Sequence, residues 1–291
     1  MARRQRTALV SSLRRRKTGN VVMLALTYIA ALLATLPLVF ILFHLLRQGA
    51  STLTPDFFTN MPRPVGEAGG GMSNAIVGTL ILIAIACAIG LPVGVGAGLY
   101  LAEKRAGALA MTVRFLSDVL NGLPSIVLGI FAWQFLVRPF GRFSALAGGI
   151  ALGAMMIPLV TRTTEEMIRL VPNSLREAAL ALGYPRWRTS MSVILRTALP
   201  GIVTGALVAV ARIAGETAPL LFTAFGNQFW STSLDEPIAA LPLQIFAYAI
   251  SPYDEWHAQA WAGALVLIVI VLIISLAARH VTRARFGSAT D

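Results

Sequence analysis

Long apolar runs separated by short polar segments form the main pattern along this chain. Six runs approach or exceed the about 18 residues that cross a bilayer as a helix: Val21 to Leu46, Ala75 to Leu101, Phe115 to Val137, Ala145 to Val160, Ala198 to Phe225 and Ala260 to Ala278. A further apolar stretch, Ile238 to Ile250, is interrupted by Pro242 and Gln244, and we interpret it as an interfacial or re-entrant piece. The pattern predicts an all-α, polytopic membrane protein with six transmembrane helices.

Arginine and lysine gather in alternate connections between these runs. Nineteen of the 24 lie in the two tails and in the second and fourth connections, whereas the fifth connection, 223–259, has none and carries four acidic residues. Because short cytoplasmic segments retain positive charge, we expect both termini in the cytoplasm. The predicted division is a basic tail 1–20, a first helix 21–46, an outer loop 47–74, a core 75–279 with a cytoplasmic loop 162–197, and a tail 280–291.

The composition excludes several classes of protein. The 291 residues are 56% hydrophobic and 13% charged, with a net charge of +11. The positive charge is segregated by membrane side and is not interleaved with aromatic residues, so topology and anionic lipid explain it and nucleic-acid binding is rejected. The single cysteine, Cys87, and three scattered histidines predict no metal site, and neither Lys17 nor Lys104 lies in a phosphate-binding G-K-[ST] loop. We expect no cofactor, metal or catalytic residue, and any nucleotide chemistry would come from a partner.

Glycines recur every four residues in three of the runs. The sets are Gly90, Gly94 and Gly98, then Gly149 and Gly153, then Gly201 and Gly205. Small residues at this spacing let helix backbones approach closely, so the pattern favours plain helix packing over a seam that lines a pathway. Another patch, Gly69 to Gly71, lies in the outer loop and is expected to separate an accessory first helix from a five-helix core.

The sequence of the fourth connection predicts a short helix within it. Ser174 and Glu177 have the spacing of a capping box, Leu175 to Leu182 is the predicted helix, and Gly183 can end it in a left-handed cap. Pro185 suits the first turn of a second short helix that carries Trp187. Ala178 and Ala179 have small side chains, so a groove of a partner protein could approach the backbone of the first helix.

The fifth run contains a pair of opposite charges. Arg212 lies near the middle of the predicted span, where an arginine costs roughly 2.5 to 3.5 kcal/mol on insertion scales and therefore indicates a functional site. Glu216, four residues later, is expected on the same helix face, where it can pair with Arg212. The alternative is a self-neutralising ion pair that only steadies the bundle. An arginine stays protonated and its planar fork matches phosphate oxygens.

The segment Arg176 to Gly183 resembles a known motif. Glu177, Ala178, Ala179 and Gly183, in a cytoplasmic loop before the penultimate span, are similar to the EAA motif of binding-protein-dependent ABC importer permeases. The resemblance implies a type I importer fold and a coupling helix seated on an ATP-hydrolysing subunit. The family pattern continues as I-x-L-P, whereas this chain has Val193 to Arg196 there and Leu199-Pro200 four residues late.

A second resemblance indicates the class of substrate. The run Arg212 to Thr223, with Leu123 to Val127 and Arg162 to Glu165, is similar to permease subunits of phosphate importers over about residues 72 to 279. It implies a bacterial inner-membrane permease half, with Arg212 and Glu216 associated with phosphate transport. The implied partners are a second permease, a homodimeric ATP-binding subunit and an extracytoplasmic phosphate-binding protein. The alternatives left open are a permease for another oxyanion, such as molybdate or sulfate, and an ATP-independent anion channel.

Overall fold

The computed structural model describes residues 2–67, 69–104 and 106–286, with side chains described at 16, 17, 19–67, 69–104 and 106–280. Within these ranges the chain is helical, with one isolated bridge between Phe225 and Ile238. Part of the charge pattern therefore lies outside the described side chains, namely the arginines at positions 3, 4, 6, 14, 15, 105, 283 and 285.

Twelve α-helical segments follow one another along the described chain. They are α1 Ala2–Gly49, α2 Pro55–Thr59, α3 Ser73–Glu103, α4 Ala108–Gly122, α5 Ser125–Ala132, α6 Ala145–Arg169, α7 Asn173–Ala181, α8 Arg186–Arg188, α9 Leu195–Ala214, α10 Ala218–Thr223, α11 Leu241–Ala249 and α12 Asp254–Phe286. A π-helical segment, Trp133–Val137, continues α5, and a second one, Thr189–Ile194, joins α8 to α9.

Within the described residues, five helices are long and apolar enough to cross a membrane, and the number rises to six if one bent pair of helices is counted as a single span. The predicted number of six spans therefore lies at the upper end of what the structure gives, and the prediction of a single third span, Phe115 to Val137, is wrong. Helix α4 and the segment Ser125–Val137 meet at 107°. Leu123 is extended and Pro124 follows it, and since proline lacks an N–H and disfavours helix in the preceding residue, the helix breaks there.

The fifth predicted span, Ala198 to Phe225, is also wrong in its bounds. The spanning helix begins earlier, at Arg186, and ends at Ala214. Gly215 caps its end, and after Thr217 the chain restarts as the separate helix α10 with Pro219 in its first turn. The predicted second short helix therefore exists only as the first turns of this span, because the π segment carries Arg186 to Arg188 directly into α9.

Two other apolar stretches differ in length from the sequence pattern. The fourth run looked short, but α6 continues to Arg169, and in its charged end the buried Glu165 pairs with the partly exposed Arg169. The stretch Ile238 to Ile250 forms α11, which has nine residues and is too short to cross a bilayer. Helix α11 packs mainly on α12.

Helices α3 and α6 form the centre of the bundle and touch through glycine. A Cβ atom added at Gly94 would lie 2.7 Å from Cβ of Val160, and one at Gly98 would lie 2.5 Å from Cβ of Thr164. Gly201 and Gly205 make the same kind of close approach from α9 to α6. The repeated glycines are therefore helix-packing positions, as the sequence favoured, and these contacts leave no room for a pathway along them.

The loop between the first two spans is folded. Phe57 and Met72 are fully buried, and the Met72 amide donates to the Phe57 carbonyl oxygen at 2.9 Å. The Gly66 amide donates to Oε2 of Glu255 at 3.2 Å, which ties this loop to the start of α12. Helix α1 contacts α12 near Gly49 and through the His44 and Trp261 rings, and most of its remaining surface is exposed.

Candidate coupling loop and ion-pair site

The exposed connection between α6 and α8 contains the short helix α7. Pro172 is its N-cap and Asn173 its first residue, so Ser174 lies inside the helix and makes no capping hydrogen bond. The predicted capping box is therefore wrong, because proline supplies the extended entry and the helix starts two residues earlier than predicted.

The end of α7 agrees with the prediction. Gly183 has a φ of +82°, its amide donates to the Leu180 carbonyl oxygen at 3.0 Å, and the Tyr184 amide donates to the Ala179 carbonyl oxygen at 3.1 Å. These two bonds make a Schellman motif, in which a residue in the left-handed region turns the chain away from the helix axis. Glycine is favoured at this position since it has no Cβ to strain.

The two alanines of α7 differ in their surroundings. Glu177 and Ala178 are exposed, whereas Ala179 is 6% exposed and packs within the chain. The bare surface that a partner could approach is therefore formed by Ala178 and not by both alanines. Leu182 and Trp187, beside α7, expose large apolar surfaces.

Three elements meet at the carboxylate of Glu103, the last residue of α3. Nη1 of Arg176 in α7 donates to both carboxylate oxygens, at 2.7 and 2.8 Å. Oγ of Ser190, in the π segment before α9, donates to Oε1 at 2.8 Å. This partner of Arg176 lies 73 residues away along the chain, and no pattern in the sequence indicated it.

Arg212 and Glu216 lie at the break between α9 and α10. Arg212 is in the last turn of α9 and not near the middle of a long span, so its predicted position is wrong because Gly215 ends the helix. Nε of Arg212 is 3.9 Å from Oε1 of Glu216, with side-chain exposures of 48% and 18%. The two residues therefore face each other across a helix end, beyond the distance of a direct hydrogen bond.

The two broken helices lie side by side. Helix α10 packs on α5, and a Cβ atom added at Gly129 would lie 2.7 Å from Cα of Pro219. Non-helical backbone at membrane depth is tolerated where it is buried in protein or lines a water-filled cavity. Discontinuous helices form the substrate sites of many secondary transporters. Here one of the two breaks carries the charges of Arg212 and Glu216.

A buried carboxylate lies farther along α6 and was missed as an ion-pair centre. Glu165 is 1% exposed; its Oε1 lies 2.9 Å from Nε of Arg114 and 2.5 Å from Nη2 of Arg169. Arg162 approaches Oε2 at 3.6 Å and also pairs with Asp118 of α4. The signal in the sequence was a glutamate with arginines at i−3 and i+4, at the end of an apolar run.

The chain is similar to known proteins over most of its length. Residues 94–286 match the family described as binding-protein-dependent transport system inner membrane component. The phosphate transport system permease protein PstA of Yersinia pestis is 48% identical over 265 residues, covering 91% of this chain and 90% of that protein. The PstA 1 protein of Mycobacterium tuberculosis H37Rv is 35% identical, covering 91% and 87%.

Solved structures support the fold at lower identity. An alginate ABC transporter in complex with a pentasaccharide-bound periplasmic protein gives a TM-score of 0.63 at 16% identity, covering 88% of this chain and 94% of that one. An inward-facing methionine transporter, MetNI, gives 0.57 at 22% identity, covering 73% and 96%. The chain therefore belongs to the binding-protein-dependent inner membrane transport family, among the PstA-type permeases.

Proposed function

We propose that this chain is one permease half of an ATP-driven phosphate importer in a bacterial inner membrane. Three relatives from separate genera carry the name of phosphate permease and align over about nine-tenths of the chain. The observation that carries the proposal is the half-exposed Arg212 held beside Glu216 at a helix break. Its guanidinium offers five donors of fixed charge, which replace part of the hydration that an oxyanion loses on entering the membrane.

The exposed face of α9 supports a path beside Arg212. Thr197, Pro200, Thr204, Val208 and Ala211 recur at helical spacing and are exposed. The exposed face of α12 carries large apolar side chains instead, among them Ile268, Leu272 and Ile273. Since lipid favours large apolar surfaces, the smaller and partly hydroxylated face of α9 fits a hydrated path shared with a second, PstC-like permease.

The helix α7 fits the role of coupling to an ATPase. Glu177, Ala178, Ala179 and Gly183 form a short, capped helix with exposed apolar neighbours in an arginine-rich connection. A homodimeric PstB-like subunit would hydrolyse ATP and move α7, and an external PstS-like protein would deliver phosphate. The chain itself would catalyse no covalent reaction.

The charge pattern supports one orientation in the membrane. Both termini and α7 would lie in the cytoplasm, and the connection between α10 and α12 would lie outside. This orientation places α7 on the side where ATP is available and Asp235 and Glu255 on the side that meets the binding protein.

Uptake by the reconstituted importer tests the proposal. The chain would be purified with its partner permease and ATPase, placed in liposomes with the binding protein outside, and assayed with radiolabelled phosphate. We expect uptake only with ATP inside and no competition from excess molybdate or sulfate. Uptake without ATP would indicate an anion channel, and effective competition by molybdate or sulfate would indicate a permease for another oxyanion.

A further inference from the structure

The carboxylate of Glu103 joins three elements that are separated along the sequence. It ends α3, accepts two hydrogen bonds from Arg176 of α7 and accepts one from Ser190 of the π segment. The Ser190 hydroxyl is also 3.1 Å from the Arg186 carbonyl oxygen in the turn that begins the fifth span. A single side chain therefore holds the short helix, α3 and the fifth span together.

The surroundings of this cluster favour a defined geometry. The side chains of Arg176 and Glu103 are 30% and 31% exposed, and Ser190 is buried. Hydrogen bonds between ionised partners are about twice as strong as neutral ones, and partial burial reduces their screening by salt. Glu103 and Arg176 themselves line a cavity of about 250 Å³, together with Leu180, Arg186 and Thr189.

The two ends of the contact differ in how firmly they are held. Helix α7 has nine residues, and its main packing partner is the π segment, where Ala179 is buried. Helix α3 packs along α6 through the close glycine contacts at Gly90, Gly94 and Gly98. Since packed helices resist compression, a displacement applied at the end of α3 is passed into the bundle.

We infer that Glu103 and Arg176 form the joint through which movement of α7 reaches the transmembrane bundle. Both act as positioning residues, because neither lies at the ion pair of Arg212 and Glu216. The inference rests on the proposed role of α7 in coupling to an ATPase. It adds that the force is carried to α3 by a charged contact, with Ser190 directing the same carboxylate toward the fifth span.

The alternative is an ordinary half-exposed ion pair that contributes little to folding and nothing to coupling. Both accounts predict some loss of stability when the pair is removed. They differ in the amount of phosphate taken up for each ATP hydrolysed, since a merely structural contact changes the quantity of assembled importer but not this ratio.

The test compares charge reversal with charge exchange in the reconstituted importer. The variants are Glu103→Arg, Arg176→Glu and the double exchange, with Lys104→Glu as a control that reverses an exposed charge next to Glu103. We expect each single variant to hydrolyse ATP while its uptake per ATP falls about fivefold or more, the lower end of typical coupling between sites. The double exchange should recover most of that loss, and Lys104→Glu should match the wild type.

Three results would overturn the inference: an unchanged ratio in assembled single variants, a double exchange as poor as the singles, or the same loss in Lys104→Glu. If Arg176→Glu does not assemble, Arg176→Gln gives the same comparison, and Arg176→Lys should retain most of the ratio because it restores the charge. Failure of the proposed function is recognised separately, because the wild-type importer would then show no ATP-dependent phosphate uptake.

Discussion

Nε of Arg212 and Oε1 of Glu216 lie 3.9 Å apart across the break between α9 and α10. At this distance the two charges attract each other but form no direct hydrogen bond. The guanidinium of Arg212 therefore retains donors for another ligand. An importer needs a substrate site of moderate affinity, because a site that binds too tightly does not release its substrate. The helix break allows this affinity, because the two side chains face each other without the fixed spacing of a continuous helix.

The cap of α7 gives a prediction about backbone conformation. Gly183 has a φ of +82° and no atom within 4 Å of an added Cβ, so a side chain there meets only backbone strain. Gly183→Ala should destabilise the cap by roughly 1–2 kcal/mol, whereas Gly183→Asn should cost less because asparagine tolerates the left-handed region. Binding of the ATPase subunit, measured by co-purification, should fall in the order wild type, Asn, Ala. Equal binding by all three would show that the cap does not position α7.

The contact between α3 and α6 gives a prediction about packing. A Cβ at Gly98 would lie 2.5 Å from Cβ of Thr164 and 2.6 Å from the Thr161 carbonyl oxygen. Gly98→Ala should therefore destabilise the protein by about 1–3 kcal/mol. The matched control is Gly96→Ala, two residues away on the same helix with no atom within 4 Å, which should be neutral or stabilising. Thermal unfolding in detergent measures both, and an equal effect would contradict the packing account.

The buried carboxylate of α6 gives a prediction about charge. Glu165→Gln removes the carboxylate that pairs with Arg114 and Arg169 and should be destabilising, since removing one partner of a buried pair costs about 3–5 kcal/mol. The loss should be smaller than that, because the arginine side chains are 21% and 44% exposed. Glu166→Gln, at an exposed neighbouring position, should have little effect on thermal unfolding. A wild-type melting temperature in Glu165→Gln would show that the network contributes no net stability.

The class of fold could be predicted from the sequence, because the length of the apolar runs and the uneven distribution of basic residues both depend directly on the bilayer. It located the short helix and its glycine cap, since local chemistry decides a left-handed turn at Gly183. It misplaced Arg212 and missed the bend at Leu123 because a single proline or glycine can kink an apolar run or end its helix, and hydropathy does not distinguish these outcomes. The contacts of Glu103 and Glu165 could not be predicted, since their partners come from distant parts of the chain.

The orientation in the membrane can be tested by chemical labelling. In a Cys87→Ala background, a cysteine at Asp235 should react with an impermeant maleimide added to intact cells. A cysteine at the exposed Trp187 should react only after the membrane is permeabilised, because the positive charge around it keeps that loop in the cytoplasm. A cysteine at the buried Ala262 controls for accessibility and should react in neither case. The opposite labelling of Asp235 and Trp187 would reverse the orientation.

The most direct test of the account is radiolabelled phosphate uptake by variants of Arg212 and Glu216, normalised to their abundance in the membrane. We expect Arg212→Gln to lose nearly all uptake because it lacks the charge, and Arg212→Lys to retain little because it lacks the planar fork. Glu216→Gln should be impaired through altered release. Replacing both residues together, Arg212→Met with Glu216→Leu, should leave the protein inserted and inactive. Uptake by this double variant at the wild-type rate would show that the pair only steadies the bundle, and would contradict a role for Arg212 in the phosphate path.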